Sequence, residues 1–120
     1  MNLNDYQTLA NRTAKPLGAM QLDLNHAALG LATEAGEFTT EVKRAVIYNK
    51  PITPETVEHM VEELGDTLWY IALAARALSI PLEQIAAYNI GKLQLRYPDA
   101  YTDHLAEARH DKAGLTARES

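Results

Sequence analysis

Residues 22–48 read LDLNHAALGLATEAGEFTTEVKRAVIY, and residues 54–78 read PETVEHMVEELGDTLWYIALAARAL. In the first stretch Leu24, Ala28, Leu31, Ala35, Phe38, Val42 and Val46 recur at helical spacing, which predicts one long helix with a single apolar stripe facing a core. The second stretch repeats the pattern with Val57, Val61, Leu64, Leu68, Ile71, Ala75 and Leu78. Between them, Asn49-Lys50-Pro51-Ile52 makes a tight connection; Thr53 is placed to cap the next helix, Pro54 suits its first position and Glu55 its positive end. Two long helices joined so closely fold back as an antiparallel hairpin. From Thr67 to Ala75 the second is apolar nearly all round, so more than one side of it needs cover, one candidate being a partner subunit.

Working outward, a short first helix carrying Tyr6, Leu9 and Ala10 should end before Pro16 and Gly18, with Asn4 as its cap. Ser79-Ile80-Pro81 breaks the chain, and a fourth helix is expected over 82–96, closed by Tyr97-Pro98. Residues 103–120 are polar and weakly patterned. The expectation is an all-α, four-helix bundle-like fold around a central antiparallel hairpin, with one domain over 1–101 and a C-terminal tail over 102–120, partly ordered at most. A chain of 120 residues often gains burial by oligomerising, so a dimer or tetramer is expected.

Composition narrows the function. With 11 basic against 16 acidic residues the chain carries a formal charge of −5, which argues against a general nucleic-acid binder. Cysteine is absent, which excludes disulfides and thiolate metal sites and fits a reducing, cytoplasmic setting. Residues 1–18 contain no apolar run of the signal-peptide type, and the longest apolar stretch is too short for a membrane span.

The hairpin carries two carboxylate pairs, Glu34-Ala-Gly-Glu37 and Glu63-Leu-Gly-Asp66. Residues three apart share a helix face, so each pair presents two oxygen donors in one direction. Glu37 lies about 11 residues below the turn and Glu63 about 9 below it; at roughly 1.5 Å per residue, the pairs are level to within ~3 Å. Four hard anionic donors favour Mg²⁺ or Mn²⁺ over Zn²⁺. Glutamates at this spacing are also ordinary on solvated helix faces, and it is the matched heights that set these apart. Gly36 and Gly65 sit inside the pairs and Gly30 one turn before Glu34, each costing about 1 kcal/mol relative to Ala in a helix and so hinting at close packing.

Gly30-Leu-Ala-Thr-Glu-Ala-Gly-Glu37, Glu62-Glu-Leu-Gly-Asp66 and Asn89-Ile-Gly-Lys-Leu-Gln-Leu-Arg-Tyr-Pro98 together resemble the MazG-like nucleotide pyrophosphohydrolases, and Asp5-Tyr-Gln-Thr-Leu-Ala10 looks like the family's first helix. The resemblance implies an all-α enzyme that uses Mg²⁺, with Mn²⁺ a possible substitute, to hydrolyse a nucleoside triphosphate between the α and β phosphates. It implies Glu34, Glu37, Glu63 and Asp66 as metal ligands and catalytic residues.

Around these, Asn89, Lys92 and Arg96 share a face of the fourth helix and suit substrate phosphates, although cations also settle at a helix C-terminus for its dipole alone. Tyr70, one turn beyond Asp66, and His26, two turns before Glu34, are placed to meet a base or sugar, with packing and plain surface roles as their alternatives. Trp69 reads as an interface anchor. His59, Lys43 and Lys50 read as surface groups, and His104 and His110 have no assignment. Three other readings stand beside the hydrolase. One is a non-catalytic dimerisation module with decorative carboxylates. Another is a phosphoribosyl-ATP pyrophosphohydrolase-type enzyme. The third, a di-iron bundle, is poorly served, because its Glu-x-x-His pattern occurs only at Glu107-x-x-His110 in the tail.

Overall fold

The computed structural model describes residues 1–112. They form five α-helices, α1 (Leu3–Asn11), α2 (Met20–Val46), α3 (Pro54–Ala77), α4 (Leu82–Arg96) and α5 (Asp103–Ala108), and a 3₁₀ turn at His110–Lys112; there is no strand among them. The chain divides into two compact units, the first being residues 1–82 and the second beginning at Glu83. The all-helical class read from the sequence is therefore what the chain adopts.

Local chemistry sets the helix ends. Thr53 accepts the Thr56 N–H at 3.2 Å and Pro54 opens α3, as its sequence predicts. At α1 the cap is Asn2 rather than Asn4: its side chain accepts from the Asp5 N–H at 2.8 Å and the Asp5 carboxylate accepts from the Asn2 N–H at 3.2 Å. That reciprocal capping box satisfies two helix-end donors and moves the start upstream. Asn49 and Ser79 take positive φ values of 53° and 57°, ending α2 and α3 in the left-handed conformation that asparagine tolerates well.

In the first unit α3 is the centre, with α2 along one side and α1 against another. α1 supplies one of the covers that the apolar second half of α3 requires. Tyr6 and Ala10 pack with Trp69, Ile71, Ala72 and Ala75, and with Leu82 beyond the end of α3. Gln7 pins that end from both sides, donating to the Ile80 carbonyl at 3.0 Å and accepting from the Leu82 N–H at 2.8 Å. Leu73 is the largest fully buried side chain, a burial that stabilises by roughly 1.5–3 kcal/mol.

The apolar stripe of α3 is a core stripe only in its second half, at Ile71 and Ala75. Val57, Val61, Leu64 and Leu68 are exposed, Val61 by 61 % and Leu64 by 51 %. The more covered positions along the first half of α3 are instead Thr56, Met60, Glu63 and Thr67, and along α2 they include Ala27, Gly30, Glu34, Glu41 and Ala45. The hairpin thus closes along the strip that carries carboxylates. Apart from Leu73 and Leu82, the fully covered hydrophobic side chains are alanines, whose small size suits a close approach of helices and leaves the larger residues outside.

Candidate metal centre and aromatic cavity

Glu34 and Glu37 on α2 and Glu63 on α3 each offer a carboxylate oxygen, and these oxygens lie within 4.8 Å of one another. Three of the four sequence-predicted ligands therefore meet. Asp66, one turn below Glu63, lies outside that cluster; with Glu34, Trp69 and Tyr70 it lines an adjoining cavity of about 320 Å³. Glu34 bridges the two features, since it belongs to both.

The electrostatics of the cluster are unfavourable without a cation. The Glu63 carboxyl is pushed up to about 7, first by sharing a hydrogen bond with Glu34, then by desolvation, then by hydrogen bonding to Glu37 and the charges of both neighbours. One oxygen each of Glu34 and Glu63 is buried without a hydrogen-bond partner. Buried carboxylate oxygens left this way are costly in a finished structure, and convergent oxygen donors from two helices fit a hard divalent cation.

The cavity wall is aromatic. Trp69 and Tyr70 meet edge to face with centroids 4.9 Å apart, and His26 stands edge-on to both, 5.6 Å from Tyr70 and 6.2 Å from Trp69. The His26 Nδ1 is buried with no partner. Trp69, read from the sequence as an interface anchor, makes its polar bonds within the chain: its indole N–H donates to the Thr13 hydroxyl at 2.8 Å and to the Ala10 carbonyl at 3.2 Å, docking it on the end of α1. Tyr6 of α1 also faces this region, its hydroxyl pushed up by burial and then by the charge of Asp66. Sequence reasoning gave Tyr6 no role, because the contribution of α1 to the site depends on how it packs across α3.

Of the three glycines near the carboxylates only Gly30 has a close neighbour. A Cβ there would collide with the Tyr70 ring, whereas one at Gly36 or Gly65 meets nothing within 4 Å. The packing hint is thus correct at one position, and nothing in the structure explains the glycine at the other two.

Lys43 lies 5.7 Å from the Tyr48 ring centroid, away from the cluster. Lys50 and His59 line a separate cavity of about 410 Å³ at the turn end of the hairpin, together with Glu41 and Arg44. In the second unit Asn89 is exposed and Lys92 half-buried. Arg96 is engaged: its Nε donates to one oxygen of Asp111 at 2.6 Å and an Nη to the other at 3.2 Å. Burial works against ionisation of Asp111, but the Arg96 hydrogen bonds and charge overcome it and hold its carboxyl below the usual range. His104 and His110 are exposed.

A helical pair that brings oxygen donors together beside an aromatic cavity has the donor set of a divalent-cation centre. Residues 23–101 match the family described as the MazG nucleotide pyrophosphohydrolase domain, and the chain belongs to that family. It is similar to the "Gene 37 protein" of Mycobacterium phage L5, 36% identical over 102 residues that cover 80% of this chain and 89% of the phage protein. No solved structure matches the chain. No helix among the described residues is long and apolar enough to cross a membrane.

Proposed function

We propose that this chain hydrolyses a nucleoside triphosphate, deoxy or non-canonical, to the monophosphate and pyrophosphate by attack of water at the α-phosphorus. Membership of the MazG family sets the reaction class. The observation that carries the site is the meeting of Glu34, Glu37 and Glu63, with a buried, unpartnered oxygen on two of them. These three carboxylates, with Asp66 alongside, would hold Mg²⁺, or Mn²⁺ in its place. Such a cation supplies charge relief to the phosphates and acidifies bound water.

The residues of the chain do the rest. Glu34, common to the cluster and the cavity, ties the phosphate end of the substrate to its base end. Tyr70 offers a ring face for the base, and the unpartnered Nδ1 of His26 offers a polar atom at the same wall. Asn89, Lys92 and Arg96 of the second unit are kept as phosphate-binding candidates on the family resemblance alone; within that unit Arg96 is bonded to Asp111 and would have to release it to take a phosphate. The exposed stripe of Val57, Val61, Leu64 and Leu68 is assigned to a second copy of the chain, giving a dimer or tetramer in which helical pairs complete one another as bundles.

The deciding experiment is a panel of canonical and modified ribo- and deoxynucleoside triphosphates with Mg²⁺, scoring pyrophosphate separately from phosphate. Pyrophosphate with matching monophosphate supports the reading. Phosphate as the sole product throughout the time course, or no turnover of any member, overturns it.

A further inference from the structure

Helix α2 carries Gly30 in its interior, where alanine would favour the helix. What the glycine gives in return is visible on α3. The Tyr70 ring rests so closely on the Gly30 backbone that a Cβ there would collide with its Cδ1, Cε1 and Cζ. Tyr70 has few other places to go, because Trp69 and His26 meet its ring edge to face, with centroids 4.9 Å and 5.6 Å away. It lines, with Glu34, Asp66 and Trp69, the cavity of about 320 Å³. Any side chain at position 30 therefore drives the ring into that cavity.

We propose that Gly30 is the positioning residue that sets the depth of the nucleotide cavity, by letting Tyr70 lie back against the α2 backbone and keep a base-sized space open beside the carboxylates. The proposal rests on the reading of that cavity as the base site. Gly30 touches no substrate; it acts through Tyr70. The three nearest atoms that a Cβ at position 30 would meet all belong to Tyr70 and none to Glu34, Glu37 or Glu63, so the first effect of filling it falls on the ring and the cavity, and Mn²⁺ affinity reports whether Glu34, which lines that cavity, is disturbed as well.

The test is Gly30→Ala with two readouts. Trp69 is the only tryptophan in the chain, so its near-ultraviolet circular dichroism and emission report the Tyr70 ring without any ligand. Gly30→Ala should shift both signals. With the best triphosphate of the panel it should raise KM on the order of tenfold while kcat stays within about twofold, because it removes binding that ground state and transition state share. Mn²⁺ affinity measured by calorimetry without nucleotide should match that of the parent. In a Tyr70→Ala background, adding Gly30→Ala should change KM by less than about twofold, since the collision is gone.

Unchanged Trp69 signals, or the same KM increment in both backgrounds, would overturn the proposal. If Gly30→Ala does not fold, recovery of helicity on adding Tyr70→Ala supports it, and a double variant that stays unfolded overturns it. The Trp69 readout needs no substrate. Failure of the hydrolase reading would show instead as a parent protein that releases no pyrophosphate.

Discussion

Glu34 of α2 and Glu63 of α3 bring carboxylate oxygens within 4.8 Å of each other, and each keeps one buried oxygen with no hydrogen-bond partner. Two acids so placed cannot both ionise cheaply in a metal-free chain, and the outcome is the Glu63 carboxyl at about 7, with its hydrogen bond to Glu34 as the largest cause. The pair therefore links protons, divalent cations and stability at one point of the fold.

The sign of that linkage follows from the direction of the shift. A carboxyl raised above its ordinary 4.5 is bound to its proton more tightly in the folded chain than in the unfolded one. Its stabilising contribution is complete below that ordinary value and is lost as the pH rises through about 7. Thermal melts of metal-free protein at pH 5 and pH 8 should show the lower midpoint at pH 8, and added Mn²⁺ should raise the midpoint more at pH 8 than at pH 5. Glu63→Gln, which mimics the protonated acid, should flatten the pH dependence; a parent and variant with identical profiles would contradict this account.

Glu37→Ala and Asp66→Ala should each cut pyrophosphate release by more than about 10²-fold, the scale expected when an electrostatic contributor is removed from a reacting centre. Both positions are exposed, so far-ultraviolet circular dichroism should be unchanged. Full pyrophosphate release by both variants would remove these carboxylates from the catalytic assignment.

One indole N–H contributes to the docking of α1 beside the Gln7 bonds and the packing of Tyr6 and Ala10. Trp69→Phe deletes its bonds to Ala10 and Thr13 and should cost about 1–2 kcal/mol in urea unfolding, with Thr13→Ala costing less because the Ala10 carbonyl still accepts. The two substitutions share one network, so the double variant should lose less than the sum. Strict additivity would mean that the Thr13 bond contributes nothing.

Val61 and Leu64 are half or more exposed on a helix whose opposite side is well packed. Light scattering on the parent chain should report a dimer or larger, and Val61→Lys with Leu64→Lys should shift it toward monomer, since two charges cannot be buried there without partners. A monomeric parent at micromolar concentration would show that the stripe has no second copy as its cover.

Much of the architecture is legible because it is written in local chemistry. Thr53-Pro54 opens α3, the expected span 82–96 is that of α4, and the helical periodicity alone gives the long pair. The level placement of Glu34 and Glu37 opposite Glu63 was also readable, since residue counts from a tight turn convert directly into height along two antiparallel helices. Periodicity says less about direction. It identified an apolar stripe on α3, but which stripe faces a neighbour within the chain is decided by packing, and here the small residues and carboxylates took that side.

The sequence by itself determined the helices, the start of α3 and the span of α4, the carboxylate pairs and, through the matching motifs, the family, because these rest on residues near one another along the chain. Only the tertiary structure decided that Asp66 stands apart from the three-carboxylate cluster, that Trp69 is bound to α1, and that of the three glycines near the carboxylates Gly30 is the one against which a side chain packs. Those facts depend on rotation and approach between helices. Side-chain packing fixes both, and spacing along the chain carries neither.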